Sequence, residues 1–344
     1  MNIISSFVTL KDVSKKAGVS VSAVSKALKD SPEIGEETKA RIISIANEMN
    51  YHPNTSARSL RLGKTNRIGV ILPNNSYSYN QVLNGISEVA LQNDFVVVTV
   101  SIADDPQREK KAIDGLISMP VDGILAVPIH LDNYDHVSVP VVFMSRYPYR
   151  DSDSFFSRRI NDSFVITDDY SGQRLATREL IRTCGEKLFI LLGSDDTDSV
   201  AGMKESIRLN GYKDELNASG IPFDAGRVER RIITLEDGYK AASMICKKAE
   251  PPFGICVTND FVAIGVIRAA VENGLRIPED VKIVGFDDFD FSGSLNPPLT
   301  TIHCSRFSLG SYATQNIISQ IRSHLGSRAV HTILQPQLIK RQSS

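Results

Sequence analysis

Residues 9–29 read TLKDVSKKAGVSVSAVSKALK. The stretch predicts two short helices joined by a tight turn. Thr9 is placed to cap the first helix, because its hydroxyl accepts from the orphan N–H groups of the next turn. Asp12, three residues later, completes a capping box and suits the positive end of the helix dipole. Leu10, Val13 and Ala17 fall on one face. Gly18 ends the helix, since a left-handed cap residue costs least as glycine. Val19 plugs between the helices, Ser20 caps the second, and Val24 and Leu28 line its inner face. Val21, Ser22, Ser25, Lys26 and Lys29 are left pointing outward. Small polar and basic groups at the front of a second helix suit base-edge and phosphate contacts in DNA. An ordinary surface αα-hairpin carries the same pattern.

After the turn cluster Asp30–Glu33, Gly35-Glu36-Glu37-Thr38 opens a third helix, acidic in its first turn as the dipole prefers. Ala40, Ile43, Ala46 and Met49 continue it at helical spacing. Three short helices suffice for one small core. His52-Pro53-Asn54 then stops the helix and offers a new N-cap at Asn54. Thr55–Leu62 has helical propensity but is short and polar, so alone it is marginal in water.

At 344 residues, two or three domains are expected. An apolar content of 42% and a charged content of 23% are those of a soluble globular protein with an ample core. No run of 18 apolar residues marks a membrane span, and no basic, apolar leader marks export. Cys184, Cys246, Cys256 and Cys304 match no metal or redox spacing, so reduced core thiols in a cytoplasmic protein are expected. Net charge is −1, but residues 1–65 hold ten Lys/Arg against six Asp/Glu, which is +4. The basic head suits phosphate contact, and the excess is modest, so a single head is expected to bind DNA weakly.

From Arg67 the texture changes. Apolar runs at 67–73, 95–101, 123–129, 140–145, 163–169, 188–193, 228–234, 253–258 and 282–288 alternate with amphipathic stretches such as Val82–Gln92, Gln107–Ser118, Ser171–Thr183, Asp237–Lys248 and Asp260–Asn273. Continuous apolar strands between helices mean parallel sheets covered on both faces. There is more chain here than one sheet usually organises, so two α/β lobes with a cleft between them are expected. Ligands of such sheets sit at the carboxyl ends of strands.

VTLKDVSKKAGVSVSAVSKAL (8–28), the third helix, and YHPNTSARSLRLGKTNRIGVILP (51–73) together resemble the head of the LacI/GalR family of bacterial transcription regulators. The body resembles that family's core, which is similar to a periplasmic sugar-binding protein. Asp122-Gly123-Ile124, Pro140-Val141-Val142, Asp168-Asp169-Tyr170-Ser171-Gly172, Asn259-Asp260, Ile277–Val281, Gly285–Asp288 and Pro297–Ile302 follow in family order.

The resemblance implies an α/β protein with a three-helix helix-turn-helix head (1–53), a hinge helix and linker (54–65) and a two-lobed core (66–344). The DNA-proximal lobe would comprise about 66–183 and 304–330, and the distal lobe about 184–303 and 331–344. Thr9, Leu10, Ser20, Val21, Ser22, Ala23, Ser25 and Lys26 would meet DNA. Val21 and Ser22 would choose bases, and Lys26 stands where the family usually has arginine reading a guanine. The hinge helix from Asn54 to Leu62 would fold in the minor groove once two subunits pair, with Leu60 as the wedge, Ala57 against its dimer mate and Arg58 at phosphates. Leu60 and Leu62 fit plain linker hydrophobicity as well. Arg208, Asp287, Asn259, Asp260, Arg146 and Tyr79 would bind a sugar-like ligand. Asp260 and Asp287 also fit capping or loop structure, and Arg208 a lobe-bridging ion pair.

Three departures from the family pattern leave the ligand open. The loop after Pro73 is a residue shorter and lacks proline, an expected aromatic is replaced near Ile233, and residues 146–162 form an unusual loop. No nucleophile–base set, phosphate loop or metal spacing stands out, so neither an enzyme nor a cofactor or metal is expected. The expected partners are a near-palindromic DNA operator, a small sugar-like effector and a second copy of the chain, as a dimer or a tetramer. The competing functions are a regulator whose effector is a phosphorylated protein, and a solute-binding protein or enzyme on the same body. Residues 9–62 are unexplained by the last of these.

Overall fold

A computed structural model describes residues 8–51, 65–74, 77–145, 162–193, 200–323 and 328–344, with backbone alone for 200–203. The chain falls into two compact units, Met1–Thr65 and Asn66–Ser344.

In the first unit, α1 (Leu10–Ala17) begins on the expected capping box: the Thr9 side chain accepts from the Asp12 N–H, and the Asp12 side chain from the Thr9 N–H. It ends on Gly18 at φ 68°, in the left-handed region. Helix α2 (Val21–Ala27) is capped by Ser20, whose hydroxyl accepts from the Ala23 N–H at 3.1 Å. Helix α3 (Glu36–Glu48) closes the core of Val13, Ala17, Val24, Ala27, Ile42, Ala46 and Tyr51. Its buried face is rotated from the expected one. Ala40 and Ile43 are exposed, while Lys39 and Ile42 go inside. Lys39 buries its stem because its ammonium is held by Asp30 at 2.6 Å and Glu36 at 2.7 Å. The expected hinge helix, with Asn54, Ala57, Arg58 and Leu60, lies outside the described residues, as does Arg146.

The second unit holds two six-stranded sheets. The first comprises β1 (Arg67–Leu72), β2 (Val96–Ser101), β3 (Gly123–Ala126), β4 (Val141–Met144), β5 (Ser163–Thr167) and β11 (His331–Leu334). Its order is β11-β5-β4-β3-β1-β2 and every pairing is parallel. The second comprises β6 (Leu188–Leu191), β7 (Val228–Glu229), β8 (Phe253–Cys256), β9 (Val281–Asp287), β10 (Thr300–His303) and β12 (Gln337–Ile339). Its order is β12-β10-β9-β8-β6-β7, with β12 alone antiparallel.

Helices α4 (Tyr77–Gln92), α5 (Pro106–Ser118) and α10 (Arg306–Arg322) cover the first sheet. Helices α6 (Asp169–Cys184), α7 (Val200–Ala218), α8 (Leu235–Lys248) and α9 (Asp260–Glu272) cover the second. Apolar clusters fill both faces of each sheet, which is why the strands read as unbroken apolar runs. Helices α4 and α10 approach backbone to backbone. A Cβ at Gly85 would strike the Phe307 carbonyl, and one at Gly310 that of Val82.

The lobe limits differ from those expected in two places. The chain leaves the first lobe at Asp168, not near residue 183, because α6 packs its Ala176 and Leu180 against the second sheet with Leu188, Cys256 and Phe286. It leaves again after Leu334, not near 330, because residues 331–334 form β11 alongside β5. The run 228–234 yields only the two-residue β7. No helix among the described residues is long and apolar enough to cross a membrane.

Candidate functional site

The head presents an exposed face at the front of α2. Ser20, Val21 and Ser22 are exposed, Val21 at 42%, while Ala23, Ser25 and Lys26 are half-buried. Thr9 is exposed and Leu10 half-buried at the start of α1. Lys26 is not free-standing: its ammonium pairs with Glu33 in the following turn. The two side chains are 44% and 64% exposed, so the pair is worth little and yields readily to a phosphate or a base edge.

The body has a cavity of about 830 Å³ between its lobes. Its walls are the carboxyl ends of strands from both sheets. Asn74 follows β1, Asp104 follows β2, Ile129 and His130 follow β3, and Ser145 follows β4. From the second lobe come Gly193 after β6, Thr258 and Asn259 after β8, and Asp287 at the end of β9. A cleft at strand carboxyl ends is where α/β sheets take ligands.

Of the residues singled out from sequence, Tyr79, Arg208, Asn259 and Asp287 line this cavity. Arg208 donates Nε and Nη2 to one oxygen of Asp169, at 2.9 and 2.8 Å, and Nη1 to the Thr258 carbonyl at 2.7 Å. Its guanidinium lies 3.9 Å from the centroid of the Phe286 ring. Arg208 and Asp169 belong to the same lobe, so the pair is not a lobe bridge. Asn259 also caps α9, its side chain accepting from the Val262 N–H at 3.0 Å. Asp287 sits at φ 102° and pairs with Arg306 of the other lobe.

Asp260 is not brought into the cleft. It is fully buried and accepts from the Ser292 and Thr301 hydroxyls, each at 2.6 Å, and from the Phe289 N–H at 3.1 Å. Its role is to hold the turn after β9. Burial pushes its carboxyl up to about 7, against the pull of Ser292 and Thr301. A carboxyl raised on folding contributes stability at low pH, lost as pH climbs from about 4 to about 7. Asp260→Asn is therefore expected to gain on the wild type across that window. Urea unfolding at about pH 4.5 and about pH 7.5 checks this, and a pH-independent difference would contradict it.

Sequence reading missed Lys204, Glu205, Arg306, Ser145 and His130. Lys204 lies 3.4 Å from the second oxygen of Asp169, and its ammonium is lowered by burial and by Arg208 and Arg306, against Asp169. Burial raises the Asp169 carboxyl, but Lys204 and Arg208 outweigh it and hold the group below its usual value. Among the described residues, buried Glu205 Oε2 and Arg306 Nε meet no hydrogen-bond partner. Leaving such groups unmet costs about 1–3 kcal/mol each. Among the described residues the charged lining is balanced, with Lys204, Arg208 and Arg306 on one side and Asp104, Glu205 and Asp287 on the other. Behind the wall, the fully buried Glu109 accepts from the N–H groups of Ile129 and His130, from Asn133 and from the Tyr134 hydroxyl, at 2.7 to 3.1 Å. That carboxylate pins the loop that carries Ile129 and His130 to the cleft.

A small helical head with an exposed reading face, and a body of two parallel-sheet lobes around a polar cleft, define a DNA-binding protein with a ligand-binding core. Residues 9–54 match the bacterial regulatory proteins of the lacI family, and residues 182–344 match the periplasmic binding protein-like domain. The HTH-type transcriptional repressor PurR of Pasteurella multocida (strain Pm70) is 30% identical over 342 residues, covering 97% of this chain and 98% of that one. The ribose operon repressor of Haemophilus influenzae (strain ATCC 51907 / DSM 11121 / KW20 / Rd) is 26% identical over 343 residues, with the same coverage. Among solved structures, the Lac repressor dimer bound to operator and the anti-inducer ONPF matches with a TM-score of 0.85 at 24% identity, covering 98% of this chain and 99% of that one. The CelR–cellobiose complex matches with a TM-score of 0.72 at 24% identity, covering 98% and 100%. The chain belongs to the lacI family of bacterial regulatory proteins. It is a DNA-binding transcriptional repressor rather than an enzyme.

Proposed function

We propose that this repressor acts as a homodimer in the cytoplasm, binds a near-palindromic operator, and is controlled by a neutral, polyhydroxylated small molecule in the interlobe cleft. The cleft's chemistry carries this reading. Among the described residues its cations and carboxylates balance, so these offer an ionic ligand no net charge attraction. Its lining sets carboxylate and amide acceptors (Glu205, Asp287, Asn259) beside guanidinium donors (Arg208, Arg306), and a polyol can meet both kinds. Two structural neighbours are described with sugars, one with cellobiose and one with ribose, and a relative is named a ribose operon repressor.

In this reading Val21 and Ser22 choose the operator bases, and Lys26 donates to a guanine once released from Glu33. Thr9, Leu10, Ser20, Ala23 and Ser25 support that contact. Asn54 to Leu62 form the hinge, with Arg58 near phosphates, Ala57 against its dimer mate and Leu60 between base pairs. Arg208, Asn259, Asp287 and Tyr79 meet the ligand, joined by Glu205 and Arg306. Dimer formation is supported by an apolar edge on the first lobe, where Leu91 is 79% and Val96 62% exposed.

A thermal-shift screen of neutral sugars, phosphosugars and sugar acids on the full chain tests the reading. A neutral sugar is expected to raise the unfolding temperature, and Glu205→Gln and Asp287→Asn to weaken that response. A response confined to phosphosugars or acids, or one unaffected by both variants, would overturn it.

A further inference from the structure

The two lobes meet at a second place, at the edge of the cleft. Tyr77 opens α4 of the first lobe. Its hydroxyl donates to Asp290 Oδ2 of the second lobe at 2.5 Å. Asp290 raises the phenol above its usual value, and a hydroxyl that donates to a carboxylate makes a short, strong bond. The Tyr77 ring stands edge-on to Phe289, with centroids 5.2 Å apart and an interplanar angle of 80°. It is also edge-on to Phe261 at 6.0 Å, and lies 6.3 Å from Phe291. The three phenylalanines already pack on one another at 4.8 to 5.7 Å, so the second lobe carries a ready-made seat.

We propose that Tyr77 is a latch that holds the two lobes together without a ligand, by seating its ring on Phe261, Phe289 and Phe291 and bonding Asp290. This goes beyond the proposed function, since it holds whatever the cleft binds. Two observations give the latch consequence. Phe261 and Phe289 also line the cleft, whereas Tyr77 does not, so a ligand touches the seat and not the latch. Tyr77 begins the helix that is locked to α10 at Gly85 and Gly310, so movement at the latch is movement of that helix pair. The same α4 ends near the exposed Leu91. A ligand therefore acts on a lobe equilibrium that the latch already biases towards closure.

The test measures interlobe distance in the full chain with no ligand added. Nitroxides are carried on a keto amino acid at Lys111 of α5 and Lys240 of α8, one exposed site in each lobe, with labelled chain diluted into unlabelled. The wild type is expected to show one narrow distance. Tyr77→Phe keeps the ring and loses the bond, so its closed-to-open ratio should fall about tenfold. Asp290→Ala alters an exposed side chain and should do the same. Tyr77→Ala should fall about 100-fold, giving a second, longer distance. An unchanged distribution in Tyr77→Ala, or in both Tyr77→Phe and Asp290→Ala, would overturn the latch.

Discussion

Arg208→Ala is expected to destabilise the body by roughly 3–5 kcal/mol and to abolish the effector response. The side chain is buried, and its removal leaves the buried Asp169 with Lys204, 3.4 Å away, and the more remote Arg306 as its cations. Thr258 loses the donor to its carbonyl, and Phe286 loses the guanidinium stacked on its ring. The loss should appear in the urea-unfolding midpoint at neutral pH. It should also depend on pH in a set direction. Asp169 is held below its usual value in the folded chain, so its contribution is present above about pH 4 and lost as pH falls. Without Arg208 that carboxyl rises, and acid unfolding should begin at a higher pH than in the wild type. Replacing both partners, as Asp169→Asn with Arg208→Met, should recover part of the loss because no lone charge stays buried. A change below about 1 kcal/mol for Arg208→Ala would place the pair among exposed ones and contradict the geometry.

Truncation after Pro53 is expected to cost operator affinity at least about 100-fold, though the head keeps its own core. The reason lies in the charge and in the partner. A head cut after Pro53 holds seven basic and six acidic residues and neutralises few phosphates. In the full chain the body brings two heads together, and the second binds as an intramolecular event. Fluorescence anisotropy on a duplex selected by the full chain measures the difference. Equal affinity for the truncated head would mean that neither hinge nor body contributes to binding.

The head was legible because its signals are local. Thr9, Asp12, Gly18 and Ser20 act within one turn of where they stand, and the structure uses each as its chemistry predicts. The face of α3 was misjudged by one position because Lys39 reads as polar, whereas Asp30 and Glu36 let its stem go inside. In the body, apolar runs marked β1 to β9 but not β10 to β12, and hydropathy cannot say which sheet a helix will cover. That is why α6 and β11 fell on the wrong side of the expected lobe limits. In the cleft, Asn259 and Asp287 were legible as strand ends, and Arg208 only through the family resemblance. Lys204, Glu205 and Arg306 lie on helices, and their meaning comes from partners such as Asp169, Asp287 and Ser145, far away in the chain. Asp260 misled for the same reason, since its three donors come from the segment 289–301.

The central claim is that occupancy of the cleft sets affinity at the head. The most direct measurement titrates the full chain onto its selected duplex, with and without a saturating sugar found by thermal shift. The two dissociation constants should differ by about 5- to 150-fold, in either direction, and by the reciprocal of that factor the duplex should change the affinity for the sugar. Equal dissociation constants with the cleft demonstrably occupied would contradict the account.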